Sequence, residues 1–317
     1  MKRTSIRRAL VPAAVAAALS ATLVACGGGS AGNGSGASGS VVVDGSSTVE
    51  PMSKAASELL SEESPEVQVA VGASGTGGGF EKFCAGQTDI SDASRPIKDE
   101  EAKACKQNGV DYTELQVATD ALTVVAHKDL AVDCLTTDQV VELFEPGSKV
   151  KTWKQLDPSF PNEKVSLFIP GTDSGTYDYM AADVVAHESE KLRTDVQSSE
   201  DDNVLVQGVS GTEGAVGFFG YTYYEENSDK LKALKIDDGN GCVEPSVETA
   251  QAGEYTPLAR PLFIYTNNKK YNDNEAVAAY TDFYVANLEK IAEAAQYIPL
   301  NDEQNGETQA ALEGITS

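Results

Sequence analysis

Three stretches of the chain gather hydroxyls and bare backbone donors where a helix is set to begin. They are VDGSSTVEPM (43–52), GASGTGGGFEKF (72–83) and IPGTDSGTYDYM (169–180). The first turn of a helix leaves N–H groups without partners and carries partial positive charge. Glycine lets a bound group approach the backbone, and serine or threonine adds a hydroxyl donor. Such a turn can hold an anion. Taken singly, each stretch is an ordinary N-cap or tight turn. Repeated after strands in both halves of one chain, they point to a shared anion site. A fourth Ser-Gly-Thr, at Ser210, Gly211 and Thr212, runs into a strand-like segment and reads as a plain turn.

Enzyme motifs fail when tested. A Walker A loop needs lysine directly after its last glycine, and GTGGGFEKF places Phe80 and Glu81 there. Neither GASGT nor TDSGT fits a nucleophile elbow. His127 ends an apolar run and His187 sits in an acidic helical segment, so both are expected to be structural. No CxxC or Cys/His cluster suggests a metal site, and no cofactor is expected. Acidic runs such as SEDDN mark solvated surface.

The elements that position these turns alternate between strand and helix, which implies an α/β protein with largely parallel sheets. SVVVDG, VQVAVG, TDISDASRP, TELQVATDALTVVAH, KVSLFIP, GAVGFFGYTYY, LKALKI and LARPLFIYTN are expected as strands or extended segments. VEPMSKAASELLSE is expected as a helix with Val49, Met52, Ala56, Leu59 and Leu60 on one face. GFEKFCAG, KDEEAKACKQNG, TTDQVVELF, SGTYDYMAADVVAHES and the segment from Asn274 to Leu300 are expected to be helical.

At 317 residues the chain suits two lobes with separate cores. Its net charge of −25 leaves no basic stripe for nucleic acid. The basic head MKRTSIRR and a short apolar run ending Leu23-Val24-Ala25-Cys26 have the form of a bacterial lipoprotein signal, with Cys26 as the lipidated residue. Residues 1–25 are then a cleaved signal, and 26–40 a Gly/Ser tether off the membrane. Cleavage lowers the basic side chains from 24 to 20 against 49 acidic ones. Four cysteines remain, Cys84, Cys105, Cys134 and Cys242, and they allow three pairings.

VDGSSTVEPM, GASGTGGGFEKFCAGQTDISDASRPI and PGTDSGTYDYM, in that order after the lipoprotein signal, resemble the substrate-binding proteins of bacterial phosphate ABC transporters. The resemblance covers roughly residues 41–300. It implies a type 2 periplasmic-binding-protein fold, two α/β lobes joined by two crossover strands. Lobe 1 is expected over 41–118 plus 266–317 and lobe 2 over 123–258, with hinges at 119–122 and 259–265. In this layout Cys84–Cys105 and Cys134–Cys242 each stay within one lobe, and that pairing is favoured.

Carried onto this sequence, the phosphate-binding residues are Ser47, Thr48 and the Val49 N–H, then Ser74 and Thr76, Ser94 and Arg95, and Ser174, Gly175 and Thr176. Two positions depart from the family pattern. Pro170 stands where an arginine is expected, and Ser94 where an aspartate is. Arg95 is then expected as the dominant cation, worth about 2–5 kcal/mol. Asp44, Asp92 and Asp173 are candidates to accept the phosphate hydrogen. The expected protein is a monomeric, non-enzymatic receptor, lipid-anchored at the outer face of the cytoplasmic membrane. It would deliver inorganic phosphate to a permease. The alternatives are a receptor for another oxyanion such as sulfate, a secreted phosphatase, or a structural surface lipoprotein.

Overall fold

Alternating apolar residues in the first half make strands that need helices to cover them, and the chain supplies both in turn. The structure, a computed structural model, describes residues 36–172, 174–186 and 189–315. The first half runs β1 (Gly39–Gly45), α1 (Glu50–Glu63), β2 (Val67–Gly72), α2 (Gly75–Cys84), β3 (Ile90–Ala93), α3 (Asp99–Gln107) and β4 (Tyr112–His127). Then come β5 (Cys134–Thr136), α4 (Thr137–Phe144), α5 (Trp153–Leu156), β6 (Ser166–Pro170) and α6 (Gly175–Tyr179). A π-helical turn, Met180–Val184, continues α6. There follow β7 (Gln197–Ser199), α7 (Asp202–Gly211), β8 (Ala215–Gly220), α8 (Tyr221–Glu226), β9 (Leu231–Ala233), β10 (Lys235–Asp237), β11 (Cys242–Val243) and α9 (Val247–Gln251). The chain closes with β12 (Ala259–Asn267), α10 (Asn268–Asp273), α11 (Glu275–Ala286), α12 (Leu288–Ala294) and α13 (Asp302–Glu313).

The strands join in the order β2-β1-β3-β12-β4-β8-β6-β7, with β9 also on β4. Pairs β1–β2, β1–β3, β6–β7 and β6–β8 are parallel, whereas β12 runs antiparallel to β3 and β4. The long strand β4 belongs to both lobes. Ala121 pairs with Ala259 on the first-lobe side, and Leu122 pairs with Gly220 on the second. The return crossing lies at Leu258, whose carbonyl accepts the Leu122 N–H at 2.8 Å. The whole of β12, including 259–265, lies in the first-lobe part of the sheet.

Each lobe has its own core. Val41, Met52, Ile90, Ile264 and Tyr280 pack in the first, and Phe144, Trp153, Met180 and Phe218 in the second. Both favoured disulfides are present. Cys84–Cys105 ties α2 to α3, and Cys134–Cys242 ties β5 to β11 across β10. Among the described residues, no helix is long and apolar enough to cross a membrane.

Three local expectations need correction. GAVGFFGYTYY is a strand only to Gly220; from Tyr221 it is helical. Within that helix Tyr221 and Tyr224, three residues apart, bring their rings to 6.2 Å, a neighbour relation of helical spacing. The glycine run 75–79 is not a turn but the first half of α2. The segment from Ser174 gives only one α-helical turn before the π-helical stretch. Residues 1–35, with the signal and Cys26, lie outside the described residues, as do Asp173 and His187. Strand β1 takes up Gly39 and Ser40, the end of the expected tether.

Candidate functional site

The turn after β1 is drawn tight by its own backbone. Ser46 O accepts from Val49 N at 3.2 Å and from Glu50 N at 3.0 Å, and Ser46 Oγ accepts from Thr48 N at 3.2 Å. The Val49 N–H is thus already used. Tyr297 holds the turn from outside, donating its OH to Thr48 O at 2.7 Å. Thr48 is thereby fixed at the boundary between lobes. Ser47 Oγ reaches across it and donates to Asp178 Oδ2 at 3.4 Å.

Helix α2 approaches β1 closely because Gly79 has no side chain. A Cβ there would lie 2.5 Å from Gly45 Cα. This approach sets Thr76 beside the third loop. Thr76 Oγ1 lies 3.1 Å from Ser94 Oγ and accepts from Ser94 N at 3.3 Å. Ser74 turns the other way. Its N and Oγ donate to Asp44 Oδ1 at 2.9 and 2.6 Å, and Lys82 Nζ meets Asp44 Oδ2 at 2.6 Å. Burial works to raise the Asp44 carboxyl, but Lys82 and Ser74 outweigh it and hold it below the usual range.

A cleft of about 450 Å³ opens between the lobes, lined by Ser46, Ser47, Thr48, Thr76, Ser94, Arg95, Asp178, Tyr179, Asp183, Glu190 and Arg260, among others. Of the expected binding residues, Ser47, Thr48, Thr76, Ser94 and Arg95 meet there. Val49 and Ser74 do not line it. Ser174, Gly175 and Thr176 line a neighbouring cavity with Ser47, Asp120 and Tyr297. The two spaces are separated where α6 meets the first loop, with a Cβ built on Gly175 3.4 Å from Thr48 Cα. Ser174 caps α6, its Oγ accepting from Thr176 N at 3.2 Å.

Arg95 is in the cleft but already engaged. Its Nη2 and Nη1 lie 2.7 and 2.9 Å from Glu101 Oε1 and Oε2. The cleft holds a second arginine, Arg260, which sequence reasoning left unassigned inside the hinge segment. Arg260 lies opposite Asp120 in the β12–β4 register, with Nε 3.3 Å from Asp120 Oδ2. Its Nη1 donates to Asp183 Oδ2 at 2.6 Å and its Nη2 to Thr48 Oγ1 at 3.0 Å. The guanidinium sits 3.6 Å over the Tyr179 ring, and Tyr179 OH donates to Pro257 O at 2.6 Å. The available signal was a charged residue within each of two apolar strands, Arg260 in LARPLFIYTN and Asp120 in ATDALTVVAH.

Burial raises the Asp120 carboxyl, with Arg260 opposing, and raises Asp178, with Ser47 and Arg260 opposing. Of the proposed hydrogen acceptors, Asp44 is held by Ser74 and Lys82, and Asp92 is fully buried behind the cleft against Ser53. The carboxylates lining the cleft are instead Asp178, Asp183 and Glu190. Among the described residues, no three His, Cys, Asp or Glu side chains converge to hold a metal ion.

A PBP superfamily domain matches residues 30–287. The chain belongs to the PBP superfamily. It is 47% identical over 266 residues to protein SphX of Synechococcus elongatus, covering 82% of this chain and 77% of that protein. It is 41% identical over 295 residues to the phosphate-binding protein PstS of Staphylococcus saprophyticus, covering 92% of this chain and 90% of the other. A crystal structure described as a possible phosphate binding protein from Planctomyces limnophilus superposes with a TM-score of 0.84 at 42% identity. That match covers 89% of this chain and all of the other. The two-lobed fold expected from the motifs is therefore that of its superfamily.

Proposed function

We propose that this PBP-superfamily chain binds inorganic phosphate between its lobes and delivers it to the permease of an ABC transporter. One observation carries the reading. In a chain of net charge −25, hydroxyl donors of three first-lobe loops and two guanidinium groups converge on one interlobe cleft. Charge-assisted donors of this kind match a tetrahedral oxyanion and act at contact range, where the long-range repulsion is outweighed. The name of the PstS relative, a phosphate-binding protein, agrees with it. Thr48, Thr76 and Ser94 face the anion, with Arg95 and Arg260 on the cleft wall and Ser47 at the lobe boundary. Ser174, Gly175 and Thr176 belong to the second-lobe wall that a rotation about the crossings in β4 and at Leu258 would bring to the same anion. Val49 and Ser74 shape the loops.

Calorimetry with phosphate, arsenate and sulfate at pH 8 tests this. Phosphate and arsenate should bind and sulfate should bind far more weakly. Equal sulfate affinity would replace phosphate by a less selective oxyanion reading. We propose binding without turnover, and a chromogenic phosphate ester checks it. Hydrolysis that survives chelation and is lost in Ser47→Ala would make the chain an enzyme. The receptor works as a monomer, lipidated at Cys26 on the outer face of the cytoplasmic membrane. Cys26→Ser should abolish partition into detergent.

A further inference from the structure

The two arginines of the cleft differ in how they are held, and the difference separates their roles. Arg95 spends both Nη atoms on one carboxylate, Glu101, and the pair is largely enclosed, with side chains 29% and 17% exposed. Glu101 is also tied to the start of α3, accepting from Lys98 N at 2.8 Å. Pro96 O takes a further N–H of Nη1 at 3.1 Å, so an anion at Arg95 meets a guanidinium whose charge is already paired and whose donors are mostly spent.

Arg260 divides its donors among three elements, and only one partner is easily moved. Asp120 faces it across the β12–β4 ladder and is 9% exposed, so it stays. Thr48 is buried and anchored through Tyr297. Asp183 is 52% exposed and sits on the π-helical turn after α6, contributed by the second lobe. The Tyr179 ring fixes the plane of the guanidinium, and this stacking does not use its N–H donors. Releasing Asp183 would therefore turn Nη1 to the cleft without disturbing the rest of the side chain. A carboxylate oxygen and a phosphate oxygen make the same charge-assisted bond to guanidinium.

Resting on the phosphate-binding reading above, we infer that Arg260 is the cation that grips the anion, and that Asp183 holds its Nη1 until phosphate displaces it. Asp183 is thus an internal competitor. It lowers the fraction of protein ready to bind, and apparent affinity falls by that fraction. Its bond to Arg260 also ties the second lobe to the first, beside the Ser47–Asp178, Thr222–Gln296 and Gln251–Pro299 hydrogen bonds.

Titration calorimetry of the full chain with inorganic phosphate tests this, with thermal melts to verify folding. Asp183→Asn should tighten binding about fivefold or more, because a competing charge is removed. Arg260→Gln should weaken it by about 30-fold or more, the usual loss for one partner of a buried charge pair. Adding Asp183→Asn to Arg260→Gln should change affinity by less than about twofold, since the competed group is gone. Unchanged or weaker binding in Asp183→Asn would overturn the inference. So would tightening by Glu101→Gln alone, which would give the anion to Arg95. A parent protein that binds no phosphate at all would instead remove the function proposed above.

Discussion

Arg95 and Glu101 form a two-pronged pair within one loop and helix start, Nη2 to Oε1 at 2.7 Å and Nη1 to Oε2 at 2.9 Å. The Glu101 bond is the largest cause holding the Arg95 charge in place; burial works to raise Glu101, but Arg95 and Lys98 together hold it below the usual range. An arginine so neutralised offers an anion little net field. The 2–5 kcal/mol expected of Arg95 from the sequence should therefore shrink. Arg95→Ala is expected to weaken phosphate binding by less than about tenfold, under 1.4 kcal/mol. It should also lower stability by about 1 kcal/mol through the lost pair. Parallel binding titrations of Arg95→Ala and Arg260→Gln check the order, and a larger loss at Arg95 would reverse the assignment.

Gly79 and Gly77 lie two residues apart in α2 and should respond with opposite signs. A Cβ on Gly79 would meet Gly45 Cα at 2.5 Å and Ser91 Oγ at 2.9 Å, whereas one on Gly77 meets nothing within 4 Å. Gly79→Ala must push α2 from β1, costing about 1–3 kcal/mol, and should carry Thr76 away from Ser94. Gly77→Ala gains helix propensity, up to about 1 kcal/mol. Thermal or urea unfolding of both variants reads the contrast. Equal effects would mean that the close approach does not limit packing.

Much of the scaffold was legible because its signals are local. VVVDG and VQVAVG carry apolar runs bounded by glycine, and α1 shows its helical face in Met52, Ala56 and Leu60. The Tyr221–Tyr224 stretch misled because its aromatic composition favours strand, while ring packing at helical spacing decided its conformation. The glycine run of α2 misled for a related reason. Its meaning lies in contact with Gly45, some thirty residues away in sequence, not in the turn chemistry of the run itself. Arg260 stayed hidden because its role is set by Thr48, 212 positions away, and Asp120, 140 positions away. Glu101 lies only six residues from Arg95 and could have been seen as its partner.

The two disulfides close loops of different size, with sequence separations of 21 for Cys84–Cys105 and 108 for Cys134–Cys242. In the chain-entropy account the longer loop constrains the unfolded chain more, about 4.7 kcal/mol against roughly 3. The Cys134→Ser/Cys242→Ser variant should therefore lose more stability than Cys84→Ser/Cys105→Ser. Urea unfolding under non-reducing conditions measures both. A larger loss at Cys84–Cys105 would show that its packing in one buried cluster with Phe83 and Val110 matters more than loop closure.

Asp92 is fully buried beneath the first loop. Ser53 Oγ donates to its Oδ1 at 2.8 Å, while its Oδ2 has no hydrogen-bond partner. Burial, aided by Glu50 and Asp44 and opposed by Ser53, raises its pKa to about 8. The unfolded carboxyl ionises near 4. Between about pH 4 and about pH 8 the folded chain holds a proton that the unfolded chain has lost, so stability falls as pH rises. The slope is at most about 1.4 kcal/mol per pH unit, and it levels off once the native carboxyl ionises too. Asp92→Asn removes the titration while keeping a group of the same shape. It is expected to lie within about 1 kcal/mol of the parent near pH 5, and to become the more stable of the two as pH approaches 8. Melting curves of both proteins across that range measure the widening gap. A gap that stays constant from pH 5 to pH 8 would mean that Asp92 is ionised throughout, with its charge met by a partner other than Ser53.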